Sequence, residues 1–370
     1  MFKGYRLRNY DFKLILMVVL LAVIGVVAIG SAEPGLQNKQ MFGVIGGVIL
    51  MVIVSLVSYN FVLKFYPLIY LANLALLAMV MIPGLGEDGG GAQRWLKIGG
   101  LQFQPSELAK ILLILFFAQF IMKYKKQLNT FKMIAACVVL FGIPWFLVYD
   151  QPDLSTSMVL IVIFCVVMFV GGISYKLILG VILVIVPAVA ILFTLAMQPG
   201  EQFLKDYQKN RILAFINPEE YETKEAYQQI NSVTAIASGM LEGKGYKNNE
   251  ITSVKNGNFI SEAQTDFIFA VIGEEFGFRG SVLVITLLIF IAMECIIVAG
   301  KAKDLAGAII ASGVGMVVAF QGFFNIGVAT FMLPNTGLPL PFVSYGLTSL
   351  WSYFIGIGFV LNVRLQAKKK

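Results

Sequence analysis

Apolar runs long enough to cross a membrane recur along the whole chain. The run at residues 14–30, for example, contains no charged residue. A helix needs about 20 predominantly apolar residues to span the hydrocarbon core of a bilayer. Segments of this kind lie at residues 14–30, 41–57, 62–82, 107–122, 132–149, 156–173, 177–197, 267–299, 306–332 and 346–363. The sequence therefore predicts an all-α polytopic membrane protein with about ten transmembrane helices.

Composition limits both the fold class and the chemistry. Charged residues make up 13% of the chain, whereas soluble domains carry about 25%. The chain has no histidine, and its three cysteines lie far apart inside apolar runs, at Cys137, Cys165 and Cys295. Zinc-type spacing is therefore absent, and any catalysis must rest on carboxylates, lysines, arginines or hydroxyl groups.

Lysine and arginine are unevenly distributed between alternate loops. If the N-terminus lies inside, the inside segments hold Lys3, Arg6, Arg8, Lys13, Lys64, Lys123, Lys125, Lys126, Lys132, Lys176, Lys301, Lys303, Arg364 and Lys368 to Lys370. By the positive-inside rule we predict that both termini face the cytoplasm. The net charge of +7 then follows from this bias toward an anionic inner leaflet, and no nucleic-acid partner is predicted.

Two long segments are predicted outside the membrane, at residues 83–106 and at about 198–265. The second lies between spans 7 and 8 and is the largest polar block of the chain. It contains aromatic residues and short helical stretches such as 227–241. A loop of this length is usually functional or disordered, and its apolar content favours folding onto the outer face. We expect residues 1–370 to form a single membrane domain.

The stretch GAQRWLKIGGLQFQPSELAK, residues 91–110, contains an expected helix start at residues 104–107, with Pro and Ser in the first turn. Glu107 and Lys110 are three residues apart and therefore share one helix face. They could form an ordinary ion pair at the membrane interface. Alternatively, they could line an outward-facing cavity.

Further polar residues stand at the ends of predicted spans. Asp153 lies in a short turn before a span, where it could cap the helix or serve a substrate. Gln321 and Asn325 are four residues apart on one face of their span, and they could join helices or line a polar cavity. Residues 333–350 form an uncharged loop with three prolines, which predicts a rigid connection.

Asp266 lies just before an apolar run, in the stretch SEAQTDFIFAVIGEEFGF. An aspartate in this position could simply cap the following helix. Its setting also suits a general base, because partial burial at a membrane boundary raises the pKa of a carboxyl group. Glu274, Glu275 and Arg279 near the start of the run predict a short leading helix before the span itself. The GLGEDG match to G-x-G-x-x-G at residues 84–89 lacks a strand–helix frame and does not indicate nucleotide binding.

Together these segments resemble the SEDS family of bacterial cell-wall polymerases, which includes RodA, FtsW and SpoVE-like proteins. The resemblance rests on GAQRWLKIGGLQFQPSELAK, QPDLSTSMVL, YQQINSVTAIASGMLEGKG, SEAQTDFIFAVIGEEFGFRG and NTGLPLPFVSYG. These stretches occur in the family order and cover essentially the whole chain. GAQRW and GEEFGF are more similar to RodA than to FtsW.

The resemblance implies a peptidoglycan glycosyltransferase that polymerises lipid II at the outer face of the bacterial cytoplasmic membrane, for cell elongation. It implies a class B penicillin-binding protein as partner, together with other elongation or division machinery. The essential aspartate of the family's TDFIF motif is Asp266 here. The important glutamate and lysine of the QPSELAK motif are Glu107 and Lys110.

The implied chemistry needs one base and several cations. Asp266 is the expected base, and Lys110 and Arg211 would stabilise the leaving pyrophosphate, with a divalent cation such as Mg²⁺ or Mn²⁺ as a possible helper. Arg94, Asp153, Gln264 and Ser344 are further substrate-binding candidates. The chain departs from the family in having Gln264 where histidine is common, and SYGLTS at residues 344–349 where many members have SYGGSS.

Two other functions fit the same sequence. A lipid II flippase would also have many spans and outward polar residues, but few midplane charges and no paired broken helices are visible. A non-catalytic scaffold would use Asp266 only as a helix cap. Asparagine caps a helix well but cannot act as a base, so Asp266→Asn separates a cap from a base.

Overall fold

The computed structural model describes residues 5, 9–82, 86–89, 92–98, 101–151, 153–180, 183, 187, 194, 206–221, 226–247 and 259–367. Its helices are α1 (Phe12–Ala32), α2 (Pro34–Leu56), α3 (Tyr59–Leu63), α4 (Tyr66–Met79), α5 (Pro105–Tyr124), α6 (Phe131–Asp150), α7 (Leu154–Gly171), α8 (Asp206–Ile216), α9 (Tyr227–Ser238), α10 (Ile268–Gly300), α11 (Leu305–Ala329) and α12 (Leu347–Leu365). Residues 175–180 are also helical.

Seven helices of the described part are long and apolar enough to cross a membrane, namely α1, α2, α5, α6, α7, α10 and α11, with α5 extended by a 3₁₀ turn to Gln127. This confirms the all-α polytopic class. Helix α12 has 19 residues and lies at the predicted tenth span. The predicted span at 177–197 falls largely outside the described residues, so the count of ten stays a prediction.

The segment predicted as one span at residues 62–82 is divided in the structure. Helix α3 ends at Leu63 and α4 begins at Tyr66, with Pro67 in its first turn. Proline has no backbone N–H and fits the first turn of a helix without loss, whereas in an interior turn it would break a hydrogen bond. The proline therefore marks a new helix start, and α4 is only 14 residues long.

Helices α5 and α11 form the centre of the bundle. Helix α11 packs against α5, α7, α10 and α12, while α2 packs against α12 and α4 against α5. Apolar residues on all sides of α5 are buried. A helix that is apolar around its whole circumference must be covered by neighbours or by lipid, and these two helices are covered mainly by neighbours.

A small antiparallel sheet lies in the segment that the sequence predicted only as a loop. Strands β1 (Gly86–Gly89), β2 (Ala92–Ile98) and β3 (Leu101–Phe103) are ordered β1-β2-β3. The sheet is joined to the start of α12, where the Thr348 hydroxyl donates to the Gln102 carbonyl at 3.3 Å. It thereby leads the chain into α5 at a fixed position.

Helix α9 folds onto the bundle, as the apolar content of its segment predicted. The Gln229 amide donates to the carbonyls of Val328 and Leu333, at 3.0 and 2.9 Å. The Ser232 hydroxyl donates to the Ala329 carbonyl at 2.7 Å. Because the last carbonyls of a helix lack intrahelical partners, α9 both caps the end of α11 and is held there.

Helix α10 is broken at Gly277, whose φ of 61° and ψ of −158° are not helical. Residues 239–245 pack beside the break, and the Lys244 N–H donates to the Glu274 carbonyl at 2.9 Å. The Lys244 ammonium also pairs with the Glu274 carboxylate at 2.9 Å. The break confirms the predicted arrangement of a short leading helix followed by a span.

Candidate functional site

Asp266 lies in the turn that precedes α10, but it does not cap that helix. Phe267 occupies the cap position, and no side chain caps the first turn. Within the part of the chain that the structure describes, the Asp266 carboxylate makes no hydrogen bond or ion pair. The cap interpretation of this residue therefore has no support in the geometry, and the carboxylate remains available for chemistry.

The main chain of Asp266 is fixed by Asn325 of α11. The Asn325 amide donates one hydrogen bond to the Asp266 carbonyl at 2.7 Å and another to the Leu338 carbonyl at 2.8 Å. Asn325 is buried; its bond to Leu338 is buried and its bond to Asp266 is partly buried. One side chain on a central helix thus ties the Asp266 turn to residues 333–346, called here the proline loop.

Ser344 and Gln264 make a second connection between the same two segments. The Ser344 hydroxyl donates to the Thr265 carbonyl at 2.6 Å and accepts from the Leu340 N–H at 2.8 Å. The Tyr345 N–H donates to the Gln264 carbonyl at 2.9 Å. Ser344 is buried and its hydroxyl is used inside the fold, which makes it a support for Asp266; direct substrate binding by Ser344 and Gln264 stays a prediction.

Gly337 of the proline loop faces the carboxylate of Asp266. Its φ is +72°, and a Cβ atom at this position would lie 3.2 Å from Oδ2 of Asp266. Gly337 itself is exposed, whereas Asp266 is half-buried. A residue without a side chain therefore lies beside Oδ2 of Asp266, and both residues keep some exposure to solvent.

The pKa of Asp266 is raised to about 6, mainly by burial and also by the nearby Glu262 carboxylate, while Arg211 and Arg94 act in the opposite direction. Asp266 as a whole residue keeps partial exposure to solvent. Arg94 comes from β2 and is half-buried, and Arg211 comes from α8 and is exposed. Two of the predicted cationic residues are thus brought to Asp266.

Glu107 and Lys110 form a buried ion pair on α5. The Lys110 ammonium lies 2.8 Å from the Glu107 carboxylate and donates to the Gln321 side-chain carbonyl at 3.1 Å. It also lies 5.5 Å from the centre of the Tyr353 ring. The pair is not at an exposed interface, because Lys110 is 0% exposed and Glu107 is 2% exposed. Direct contact between Lys110 and a substrate would require a rearrangement of this pair.

Helix α11 connects the ion pair to Asp266. Gln321 contacts Lys110, and Asn325, four residues later, holds the Asp266 carbonyl. Four residues of α-helix correspond to about 6 Å along the axis. The two centres that the sequence singled out therefore contact α11 at positions about one helical turn apart.

Asp153 is engaged at the junction of α5 and α7. Its carboxylate accepts from the Thr156 N–H at 3.1 Å as the cap of α7. The same group accepts from the Gln104 amide at 3.2 Å and from the Ser106 hydroxyl at 3.1 Å. Asp153 is buried, so the geometry supports capping, and substrate binding at this residue stays a prediction.

The sequence did not identify three residues that the structure places around Asp266, namely Glu262, Asn325 and Gly337. Asn325 was recognisable as a polar residue inside an apolar span, but its partners were not. Among the described residues no group of three or more His, Cys, Asp or Glu could hold a metal ion. Mg²⁺ is commonly held by one or two carboxylates together with substrate phosphates, and a divalent cation stays a prediction here.

The fold and the site define a polytopic helical membrane protein with an available carboxylate at one end of its bundle. A family model described as cell cycle protein, built for FtsW, RodA and SpoVE, matches residues 10–369. The chain belongs to the FtsW/RodA/SpoVE family, as the sequence motifs predicted.

Two named relatives are equally similar to the chain. The probable peptidoglycan glycosyltransferase FtsW of Geobacter metallireducens is 32% identical over 374 residues, covering 98% of this chain and 96% of that protein. The peptidoglycan glycosyltransferase MrdB of Escherichia coli is 32% identical over 364 residues, covering 97% and 95%. Because the identities are equal, a closer likeness to RodA than to FtsW stays a prediction.

Solved structures have the same fold. A chain from a peptidoglycan synthase complex that coordinates polymerization and crosslinking is 30% identical, with a TM-score of 0.80 and coverage of 96% of this chain and 97% of that one. The rod shape determining protein RodA of Thermus thermophilus is 26% identical, with a TM-score of 0.70 and coverage of 98% of both chains.

Proposed function

We propose that this chain is a peptidoglycan glycosyltransferase that polymerises lipid II, with Asp266 as its general base. The observation that carries this proposal is the state of the Asp266 carboxylate. It is rigidly placed and half-buried, it caps no helix, and Arg94 and Arg211 lie within electrostatic reach. The names of the relatives support the class of reaction, and the geometry of the site supports the assignment of Asp266 as the base.

In the proposed reaction a sugar hydroxyl of one lipid-linked unit attacks the anomeric carbon of another. Asp266 accepts the proton of this hydroxyl as the new C–O bond forms. The bond from the anomeric carbon to the lipid pyrophosphate breaks, and the pyrophosphate leaves with the bonding electrons. A single in-line displacement inverts the anomeric centre, so no second carboxylate nucleophile is needed, by analogy with inverting glycosidases.

A pKa of about 6 suits this role. At neutral pH the carboxylate is mostly ionised and ready to accept a proton, and it is a stronger base than an ordinary aspartate. The positive charges of Arg94 and Arg211 would stabilise the negative charge that develops on the leaving pyrophosphate. Lys110 would contribute from inside the bundle after release from Glu107 and Gln321.

The basic residues of the alternate loops favour a cytoplasmic position for both termini and an extracytoplasmic position for Asp266. This placement suits a donor that carries its own activation energy, because no nucleotide is required there. The likeness to a chain of a peptidoglycan synthase complex supports a class B penicillin-binding protein as partner. A role in elongation rests on the RodA-like motifs GAQRW and GEEFGF.

The test is polymer formation from lipid II by the purified chain in proteoliposomes, with a class B penicillin-binding protein whose transpeptidase site is blocked. We expect glycan strands of many units that require the chain. Movement of lipid II between leaflets without polymer would instead establish the flippase. Neither polymer nor movement, from a folded chain that binds the partner, would establish the scaffold.

A further inference from the structure

We propose that Gly337 is a positioning residue for Asp266: the proline loop is fixed beside the carboxylate, and the absence of a side chain at residue 337 leaves Oδ2 open to the attacking hydroxyl. The proposal rests on the function proposed above. It concerns a residue that acts through Asp266 and does not itself touch the reacting atoms.

The position of Gly337 is fixed from both sides. The preceding residue, Thr336, accepts a hydrogen bond at its carbonyl from the Ser155 hydroxyl of α7. The following residue, Leu338, accepts one from the Asn325 amide of α11 at 2.8 Å. With its two neighbours attached to different helices, Gly337 cannot move away from Asp266 without breaking one of these bonds.

The space beside Oδ2 is limited. A Cβ atom at residue 337 would lie 3.2 Å from Oδ2 of Asp266, closer than the usual van der Waals separation. A hydroxyl that gives its proton to a base must lie about 2.6–3.2 Å from it. A methyl group at residue 337 and a reacting hydroxyl would therefore compete for the same volume. Because Gly337 is exposed, this volume lies on the solvent side of the carboxylate.

A glycine could also be required at residue 337 because a φ of +72° disfavours residues with a side chain. Two variants distinguish this backbone requirement from the need for space beside Oδ2. Gly245 has a φ of +95° with no atom within 4 Å of its Cβ position, so Gly245→Ala imposes a similar backbone strain without a carboxylate in contact with the added methyl group. Asparagine tolerates positive φ, so Gly337→Asn relieves much of the strain while still filling the space.

The kinetic experiment compares polymerisation by wild type, Gly337→Ala, Gly337→Asn and Gly245→Ala. A positioned general base contributes roughly 100-fold or more to rate, so we expect both Gly337 variants to lose at least roughly 10-fold in kcat with little change in KM. Gly245→Ala should keep wild-type kcat. Equal behaviour of Gly337→Ala and Gly245→Ala, or full activity of Gly337→Asn, would overturn the proposal.

A second measurement does not depend on turnover. The titration of the Asp266 carboxyl is followed by infrared difference spectroscopy, each variant being compared with the same variant carrying Asp266→Asn. The added methyl group of Gly337→Ala excludes water from the carboxylate and should move its titration to higher pH, while Glu262, Arg94 and Arg211 are unchanged. Gly245→Ala should leave the titration unmoved.

The two readouts distinguish failure of this inference from failure of the proposed function. If wild type makes no polymer, the glycosyltransferase function fails, and the infrared shift alone decides whether residue 337 controls the carboxylate. If wild type makes polymer and the titration of Gly337→Ala does not shift, the contact with Asp266 is absent and the inference is wrong. A shift without loss of kcat would likewise overturn the positioning role.

Discussion

The aspartates of this protein have different roles because their surroundings differ. Asp153 and Asp304 each accept an N–H hydrogen bond as helix caps, from Thr156 and Gly307. Asp266 accepts none from the residues that the structure describes, and burial raises its pKa to about 6. The roles therefore follow from position, because a carboxylate that caps a helix is already engaged with the backbone.

The raised pKa of Asp266 predicts how activity depends on pH. Asp266 must be ionised to accept a proton. The rate of polymerisation should therefore be maximal well above pH 6 and fall as the pH drops through about 6. Its pKa rises from 3.8 to about 6 on folding, so the folded state binds this proton more tightly and acidification through this range stabilises the fold through this group. The rate of polymerisation and the thermal unfolding midpoint are measured over the same pH range. The rate should fall through about pH 6 while the protein stays folded. A flat profile between about pH 5 and 7 would contradict a base of this pKa.

The buried pair of Glu107 and Lys110 predicts a stability cycle. Lys110→Met leaves Glu107 buried without its cation and should lower the free energy of unfolding by about 3–5 kcal/mol. The double variant Glu107→Gln, Lys110→Met should recover much of this loss, because neither side chain is then charged. Chemical denaturation of wild type, Glu107→Gln, Lys110→Met and the double variant measures the cycle.

The activity of the same double variant shows whether Glu107 and Lys110 only stabilise the fold or also take part in the reaction. We expect it to fold and to polymerise poorly, because the cation assigned to the pyrophosphate is gone. A stable double variant with wild-type turnover would show that the pair serves only the fold.

At the scale of elements, α10 depends on its break. The leading part of α10 carries Glu274 and Glu275, and residues 239–245 fill the space beside Gly277. An unbroken helix would remove the main-chain hydrogen bonds that this segment makes to the carbonyls of the two glutamates. The break therefore joins the large polar segment to the membrane bundle.

Glycine-to-alanine changes in two helices should have opposite effects. A Cβ at residue 277 would lie 2.4 Å from the Gly243 nitrogen, and φ there is +61°, so Gly277→Ala should destabilise by about 1–3 kcal/mol. Gly142 in α6 has no atom within 4 Å of its Cβ position, so Gly142→Ala should gain up to about 1 kcal/mol from helix propensity. Unfolding midpoints of both variants test this, and equal shifts would contradict the packing assigned to Gly277.

Element identity was predictable from the sequence where hydropathy decides it. The seven confirmed spans are apolar runs of sufficient length. The charged residues Glu274, Glu275 and Arg279 near the start of α10 predicted its division into a short leading helix and a span. The sheet of β1, β2 and β3 was missed because three short strands of four, seven and three residues gain stability from one another and from contacts with α5 and α12. Division of the predicted span at Pro67 was missed although proline marks helix starts.

At the scale of the whole molecule, the site combines segments that are far apart in sequence. Arg94 comes from the sheet, Arg211 from α8, Asp266 from the turn before α10, Asn325 from α11 and Gly337 from the proline loop. Resemblance to a family could name Asp266, Glu107 and Lys110. The partners of Asn325 and the proximity of Gly337 to Oδ2 depend on tertiary packing, which no local pattern in one sequence encodes.

The orientation of the molecule is a prediction from its basic residues. In a background without cysteines, Glu242→Cys and Lys126→Cys place one thiol on each predicted side of the membrane, at exposed positions. We expect a membrane-impermeant maleimide to label residue 242 in intact spheroplasts and residue 126 only after permeabilisation. The reverse pattern would place Asp266 on the cytoplasmic side and contradict the proposed site of polymerisation.

The central claim is that Asp266 accepts the proton of the attacking hydroxyl. The most direct test is glycan polymer formation by purified Asp266→Asn beside Asp304→Asn, because Asp304 is a true cap that accepts from the Gly307 N–H at 2.8 Å and asparagine caps equally well. The account predicts polymer from wild type and from Asp304→Asn, and none from a folded Asp266→Asn. Polymer at the wild-type rate from Asp266→Asn would contradict it.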